Sequence, residues 1–119
     1  MHELALSSAI VNTAAKHADG RPVLVVSLTV GRLRQVVPQT LAFYFEMVAR
    51  GTICEGAQLE QTVTPARLAC ARCQREWEID FPSFSCPSCA AGDVSIVSGN
   101  EFEVESIEVE EDVACIAPR

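Results

Sequence analysis

Histidine is scarce in this chain: His2 and His17 are the only two among 119 residues. Neither belongs to a Ser-His-Asp or Cys-His pattern, and no glycine-rich phosphate cradle is present, so nucleophilic and phosphoryl-transfer catalysis have no motif to rest on. Bases are also few, nine against sixteen acids for a net charge of -7. Residues 101 to 112 alone hold seven carboxylates and no base, which argues against a nucleic-acid surface. No apolar run is long enough for a membrane span, and no basic n-region or cleavage site marks a signal peptide. The expected setting is therefore the reducing cytoplasm, away from membranes, where six cysteines would be thiols or metal ligands and not disulfides. No repeat or low-complexity segment appears. A chain of 119 residues can form one compact domain with a small subdomain and a modest core, which a metal staple would help.

What is present reads as alternating helices and strands. Residues 4 to 18 (LALSSAIVNTAAKHA) put Leu4, Val11, Ala15 and Ala18 on one face with Leu6, Ile10 and Ala14 beside it, and Asp19-Gly20 ends the run. Arg21 to Gly31 (RPVLVVSLTVG) is rich in β-branched residues and predicts a well-buried strand. Pro38 opens a second helix with Leu41, Tyr44, Phe45 and Val48 as its apolar face, and Gly51 follows as the cap. A second strand fits Gly56 to Thr64. A third fits Glu101 to Glu110, where Phe102 and Val104 differ in parity from Ile107 and Val109, so a bulge near Ser106 is expected. The interleaved carboxylates of this last strand suit a solvated, aggregation-resistant face, or alternatively a docking surface for a basic partner.

Between the second and third strands lie Cys70-Ala-Arg-Cys73, twelve further residues, and Cys86-Pro-Ser-Cys89. A C-x-x-C pair brings two thiolates to one ion from a single tight turn, and two pairs make a closed tetrahedral sulfur cage suited to zinc. Rubredoxin-like iron and a dithiol redox role are the alternatives, the second disfavoured because one ion satisfies all four thiolates. Trp77, Phe81 and Phe84 in the intervening segment would cover the cage, which is too small to have a core of its own. Cys54 and Cys115 have no spacing partner and read as small apolar side chains.

The first three residues, Met1-His2-Glu3, offer a terminal amine, a deprotonated amide and an imidazole in one plane. That nitrogen set suits nickel(II) or copper(II) better than zinc. Taken alone the pattern is short, and a surface histidine with no role is its ordinary reading. Glu3 equally fits a carboxylate placed against the helix dipole, and His17 a cation at the helix's far end.

Taken together, MHELALS, GRLRQVVPQTLAFYFEMVARGT, EGAQLEQ, the two C-x-x-C pairs with CPSC second, and GNEFEVESIEVE run in order over essentially the whole chain. This arrangement resembles the HypA/HybF family of nickel-hydrogenase maturation proteins. The resemblance implies a nickel metallochaperone, not an enzyme, with a nickel site at Met1, His2 and Glu3 and structural zinc on Cys70, Cys73, Cys86 and Cys89. It also implies two partners, the GTPase HypB and the large subunit of a nickel-iron hydrogenase.

Two departures stand out: Gln74 and Ala90 follow the pairs where knuckles often carry glycine, and no histidine follows the zinc motif. A fourth nickel ligand must then be Glu3, another oxygen, water or a partner's side chain. The expected fold is α+β, two helices packed on a three-stranded mixed sheet with an inserted zinc ribbon. Residues 1–65 plus 96–119 would form the nickel-binding part and 66–95 the ribbon, in a monomer or weak homodimer. The competing reading is a zinc-ribbon protein-interaction module without nickel. A zinc hydrolase is weaker, because four thiolates leave the ion no open position.

Overall fold

The computed structural model describes residues 3–79, 86–89, 92, 94–110 and 112–115. Its elements run α1 (Glu3–His17), β1 (Val23–Gly31), a 3-10 turn (Arg32–Arg34), α2 (Pro38–Ala49), β2 (Gln58–Thr64), β3 (Ala66–Cys70), β4 (Glu76–Ile79), β5 (Val94–Ser98), β6 (Phe102–Val109) and β7 (Asp112–Cys115). They form a four-stranded sheet in the order β2-β1-β6-β7 and a three-stranded sheet in the order β4-β3-β5. The chain folds as two compact units, residues 1–29, 36–62 and 103–119 in one and 30–35 with 63–102 in the other. No helix among the described residues is long and apolar enough to cross a membrane.

In the first unit, α1 buries Ser7, Ile10, Val11 and Ala14, and Asp19 (φ 55) and Gly20 (φ 79) turn the chain out of it. Leu4, expected on the buried face, is 51% exposed because it lies in the first turn, ahead of the packed stretch. Small side chains at positions 7 and 14 let α1 approach α2, and the buried Ser7 hydroxyl donates to Leu41 O at 3.3 Å. Such a bond is what makes a fully buried hydroxyl tolerable. Pro38 starts α2 after Val37 in extended conformation, and Leu41, Phe45 and Ala49 form its buried stripe. The helix ends at Arg50, with Gly51 next in the left-handed region at φ 78.

A central place in its sheet explains why β1 is apolar on both parities. Val26, Leu28 and Val30 are buried on one face, where Leu24 is exposed, and on the other Val23 is buried whereas Val25, Ser27 and Thr29 are half-buried. Along β6 the Thr29 hydroxyl donates to Glu105 Oε1 at 2.9 Å, and Glu110 N–H donates to Pro22 O at 3.0 Å, so β1 and β6 run antiparallel. Burial in β6 switches parity between Val104 and Ile107, while Ser106 to Val109 pair with β7 in continuous register. The expected sheet of three strands is corrected to four. Asp112–Cys115 returns antiparallel on β6, with Val109 opposite Asp112 and Ser106 opposite Cys115. Asp112, which reads as part of an acidic run, is the first paired residue of β7.

The second unit was expected to be a ribbon built on its cage, and it contains a sheet of its own. Its centre is β3, pairing antiparallel with β4 (Ala66 opposite Ile79, Ala69 opposite Glu76) and with β5 (Leu68 opposite Ile96, Cys70 opposite Val94). Leu68, fully buried, is flanked in register by Trp77 and Ile96. Beside it Leu33 N–H donates to Gly99 O at 2.7 Å and Arg34 Nε–H donates to Asn100 O at 2.9 Å. This close approach needs glycine. A Cβ on Gly99, whose φ is +103, would sit 2.5 Å from Ala66 Cα, and one on Gly31 would overlap Gly99 O.

Gly99→Ala should therefore destabilise the protein by about 2–4 kcal/mol, through a strained φ and a backbone overlap that no rotamer relieves. Urea unfolding checks this, and a loss below about 1 kcal/mol would show that the loop relaxes freely.

Candidate metal centre

The first C-x-x-C pair is the turn of the β3–β4 hairpin. Cys70 ends β3, its N–H donates to Arg75 O at 2.8 Å, and Gln74 N–H donates back to Cys70 O at 3.0 Å. Closing so tight a turn puts Gln74 in the left-handed region at φ 63, the conformation that glycine adopts without strain. The second pair, Cys86–Cys89, faces it. All four sulfurs lie within 4.8 Å of one another, with Cys70 Sγ 3.6 Å from Cys89 Sγ and Cys73 Sγ 3.5 Å from Cys86 Sγ. These separations are far beyond an S–S bond, and a tetrahedral zinc with Zn–S of about 2.3 Å requires sulfurs about 3.8 Å apart. The donor set therefore fits a four-coordinate thiophilic ion. Cys70 and Cys86 are each 2% exposed with Trp77 packed against them, whereas Cys73 and Cys89 face solvent.

Four thiols this close cannot all ionise independently, and the surroundings divide them. For Cys70 the N–H of Cys73 outweighs burial and holds the thiol below its usual range. At Cys86 burial works upward, but the N–H groups of Cys89 and Ser88 and the neighbouring thiols bring it down to about 6. Cys73 also receives help toward ionisation from the N–H of Arg75, yet Cys86, burial and the other two thiols push it up to about 11. Ionising the first sulfurs raises the last, and a divalent cation at the centre reverses that opposition.

Cys54 is a different thiol, fully buried in the first unit with Sγ 4.0 Å from Val11 O; burial pushes its pKa up against the opposing Thr52 hydroxyl. Cys115 stands in β7, and its side chain lies outside the described residues. His17 is exposed in the last turn of α1, its Nδ1 2.9 Å from Thr13 O. Of the expected nickel residues, Met1 and His2 lie outside the described residues, as do Phe81, Phe84 and Ala90. Glu3 begins α1, and its Oε2 accepts Val37 N–H at 3.3 Å, so its carboxylate braces the start of α2. Sequence reasoning missed this brace, along with a hydrogen bond across the two knuckles from Arg75 Nη1 to Ser88 Oγ at 2.8 Å. Each joins residues whose proximity only folding creates.

Two helices on a sheet, together with facing knuckles that close four thiols on one point, define a small α+β metal-binding protein. A family model described as hydrogenase/urease nickel incorporation, metallochaperone, HypA, matches residues 1–109. The chain belongs to the HypA family. It is 38% identical over 116 residues to a hydrogenase maturation factor HypA of Streptomyces avermitilis, covering 93% of this chain and 88% of that protein. To the protein of the same name in Geobacter metallireducens it is 39% identical over 110 residues, covering 92% of this chain and 100% of the other. The solution structure of the Ni metallochaperone HypA from Helicobacter pylori shares the fold, with TM-score 0.65 at 23% identity, covering 92% of this chain and 97% of that one.

Removing bound metal with a chelator should expose Cys70, Cys73, Cys86 and Cys89 to iodoacetamide, while Cys54 resists until the protein is denatured. Peptide mapping by mass spectrometry checks this; modification of Cys54 in step with the other four would contradict its place in the core.

Proposed function

We propose that this chain is a nickel metallochaperone for nickel-iron hydrogenase maturation, carrying nickel at its N-terminus and zinc in a separate structural centre. The observation that carries the reading is the match of a nickel-incorporation family over residues 1–109, a span that holds both Met1-His2-Glu3 and the two cysteine pairs. Nickel(II) would take the Met1 amine, the amide nitrogen between Met1 and His2, and the His2 imidazole as a planar nitrogen set. Glu3, one of whose oxygens accepts Val37 N–H, or another oxygen donor would complete the shell. The set lies at the chain end where α1 begins, so a partner offering further donors can take the ion by ligand exchange without opening a core.

Zinc would be held by Cys70, Cys73, Cys86 and Cys89, where it neutralises thiolates and joins the two knuckles. Four thiolates leave it no position for water or substrate, which supports a carrier and not a catalyst. The GTPase HypB and the hydrogenase large subunit are the proposed exchange partners, in the cytoplasm.

The test compares wild type with His2→Ala and with a chain extended by two residues ahead of Met1. Wild type should bind about one nickel beyond its zinc, while both variants keep zinc and fold but bind nickel more than about 100-fold more weakly. Isothermal calorimetry with metal analysis reads this. A wild type that takes zinc alone leaves the interaction-module reading standing; nickel retained by the extended chain but lost in His2→Ala removes the amine from the ligand set. Protons compete for the same nitrogens, with ordinary pKa values of about 7.7–8.0 for the amine and about 6.5 for imidazole. Nickel affinity should accordingly fall as pH drops from 8 to about 6, with zinc still in place. Affinity unchanged over that interval would exclude both groups.

A further inference from the structure

We infer that Arg75 is a positioning residue for the metal centre, clipping the second knuckle onto the first through Ser88 and so slowing loss of the ion. This rests on the zinc reading above. Arg75 is engaged at both ends. Its carbonyl accepts Cys70 N–H at 2.8 Å, fixing it to the end of β3, and its guanidinium Nη1 donates to Ser88 Oγ at 2.8 Å. Ser88 lies between Cys86 and Cys89 in the second knuckle, so one residue reaches from the turn holding Cys70 and Cys73 to the turn holding the other two sulfurs. The metal must otherwise hold the two cysteine turns together by itself, and any excursion of the second opens a coordination position to a competing chelator. A clip between the two turns reduces such excursions and lowers the disorder that the ion alone would otherwise have to overcome. Hydrogen bonds from the guanidinium to groups beside the ligands also orient them, as hydrogen bonds behind the ligands do at zinc sites generally. Arg72 provides an internal comparison, since it carries the same charge within the first C-x-x-C loop and is likewise exposed.

The experiment measures release of zinc from the full-length, zinc-loaded protein to excess EDTA, for wild type, Arg75→Ala, Ser88→Ala, the double variant, Arg75→Lys and Arg72→Ala. Arg75→Ala and Ser88→Ala should each release zinc about 3- to 10-fold faster, and the double variant no faster than either one. Arg75→Lys should recover part of the loss, because lysine supplies a donor without the planar fork. Zinc content, circular dichroism and Trp77 emission before chelation should match wild type, separating a loosened centre from a misfolded one. Three outcomes overturn the inference: release rates equal to wild type, equal acceleration by Arg72→Ala and Arg75→Ala, which would make charge the cause, or additive effects at 75 and 88. A wild type that holds no zinc sinks the zinc reading and this inference with it, whereas a zinc-loaded wild type indistinguishable from its variants sinks this inference alone.

Discussion

Four sulfur atoms from two turns must meet at one point, and the second unit is arranged around that requirement. Cys70 and Cys73 come from a hairpin whose strands are paired in register, so their separation is set by the pairing of β3 with β4. Without a cation the sulfurs oppose one another, as the spread between Cys86 at about 6 and Cys73 at about 11 expresses. A cation turns that opposition into attraction. Among the described residues of the sheet around the hairpin, Leu68 is the large side chain that is fully buried, with Trp77 partly buried against Cys70 and Cys86. A zinc ion held by the four thiolates, as proposed, would add its binding free energy to the stability of this segment.

The first unit is held differently. Its core is aliphatic, from Ile10, Val11, Val26, Leu28, Leu41, Phe45 and Ile107, with Cys54 as one more small apolar side chain. Polar contacts there join α1 to α2: the Ser7 hydroxyl to Leu41 O, and Val37 N–H to the Glu3 carboxylate. The second of these places the carboxylate next to the proposed nickel residues under the control of a neighbouring helix. A donor fixed by its second contact loses less entropy on meeting a metal than a free tail would.

Much of this was legible in the amino-acid order. β-branched residues in Val23 to Val30 announced a buried strand, Pro38 and the Leu41–Phe45 spacing announced α2, and the parity change between Val104 and Ile107 is matched by their burial. The cysteine spacing announced a cluster of four sulfurs. What escaped had physical reasons. Leu4 fits the helical period, but periodicity does not say where the packed partner ends. The strand β7 was hidden by an acidic stretch that reads as solvated chain, and β3, β4 and β5 are too short, at five, four and five residues, for alternation to be distinctive. The contacts Glu3–Val37 and Arg75–Ser88 span 34 and 13 residues, and no local pattern encodes them.

The two proposed metals would occupy chemically opposite sites, and X-ray absorption at both edges of protein loaded with nickel and zinc reads each shell separately. The expected zinc edge shows an all-sulfur shell at about 2.3 Å, and the expected nickel edge shows nitrogen and oxygen scatterers without sulfur. Sulfur in the nickel shell, or nitrogen and oxygen replacing sulfur around zinc, would contradict the separation of cargo from structural ion on which the whole reading depends.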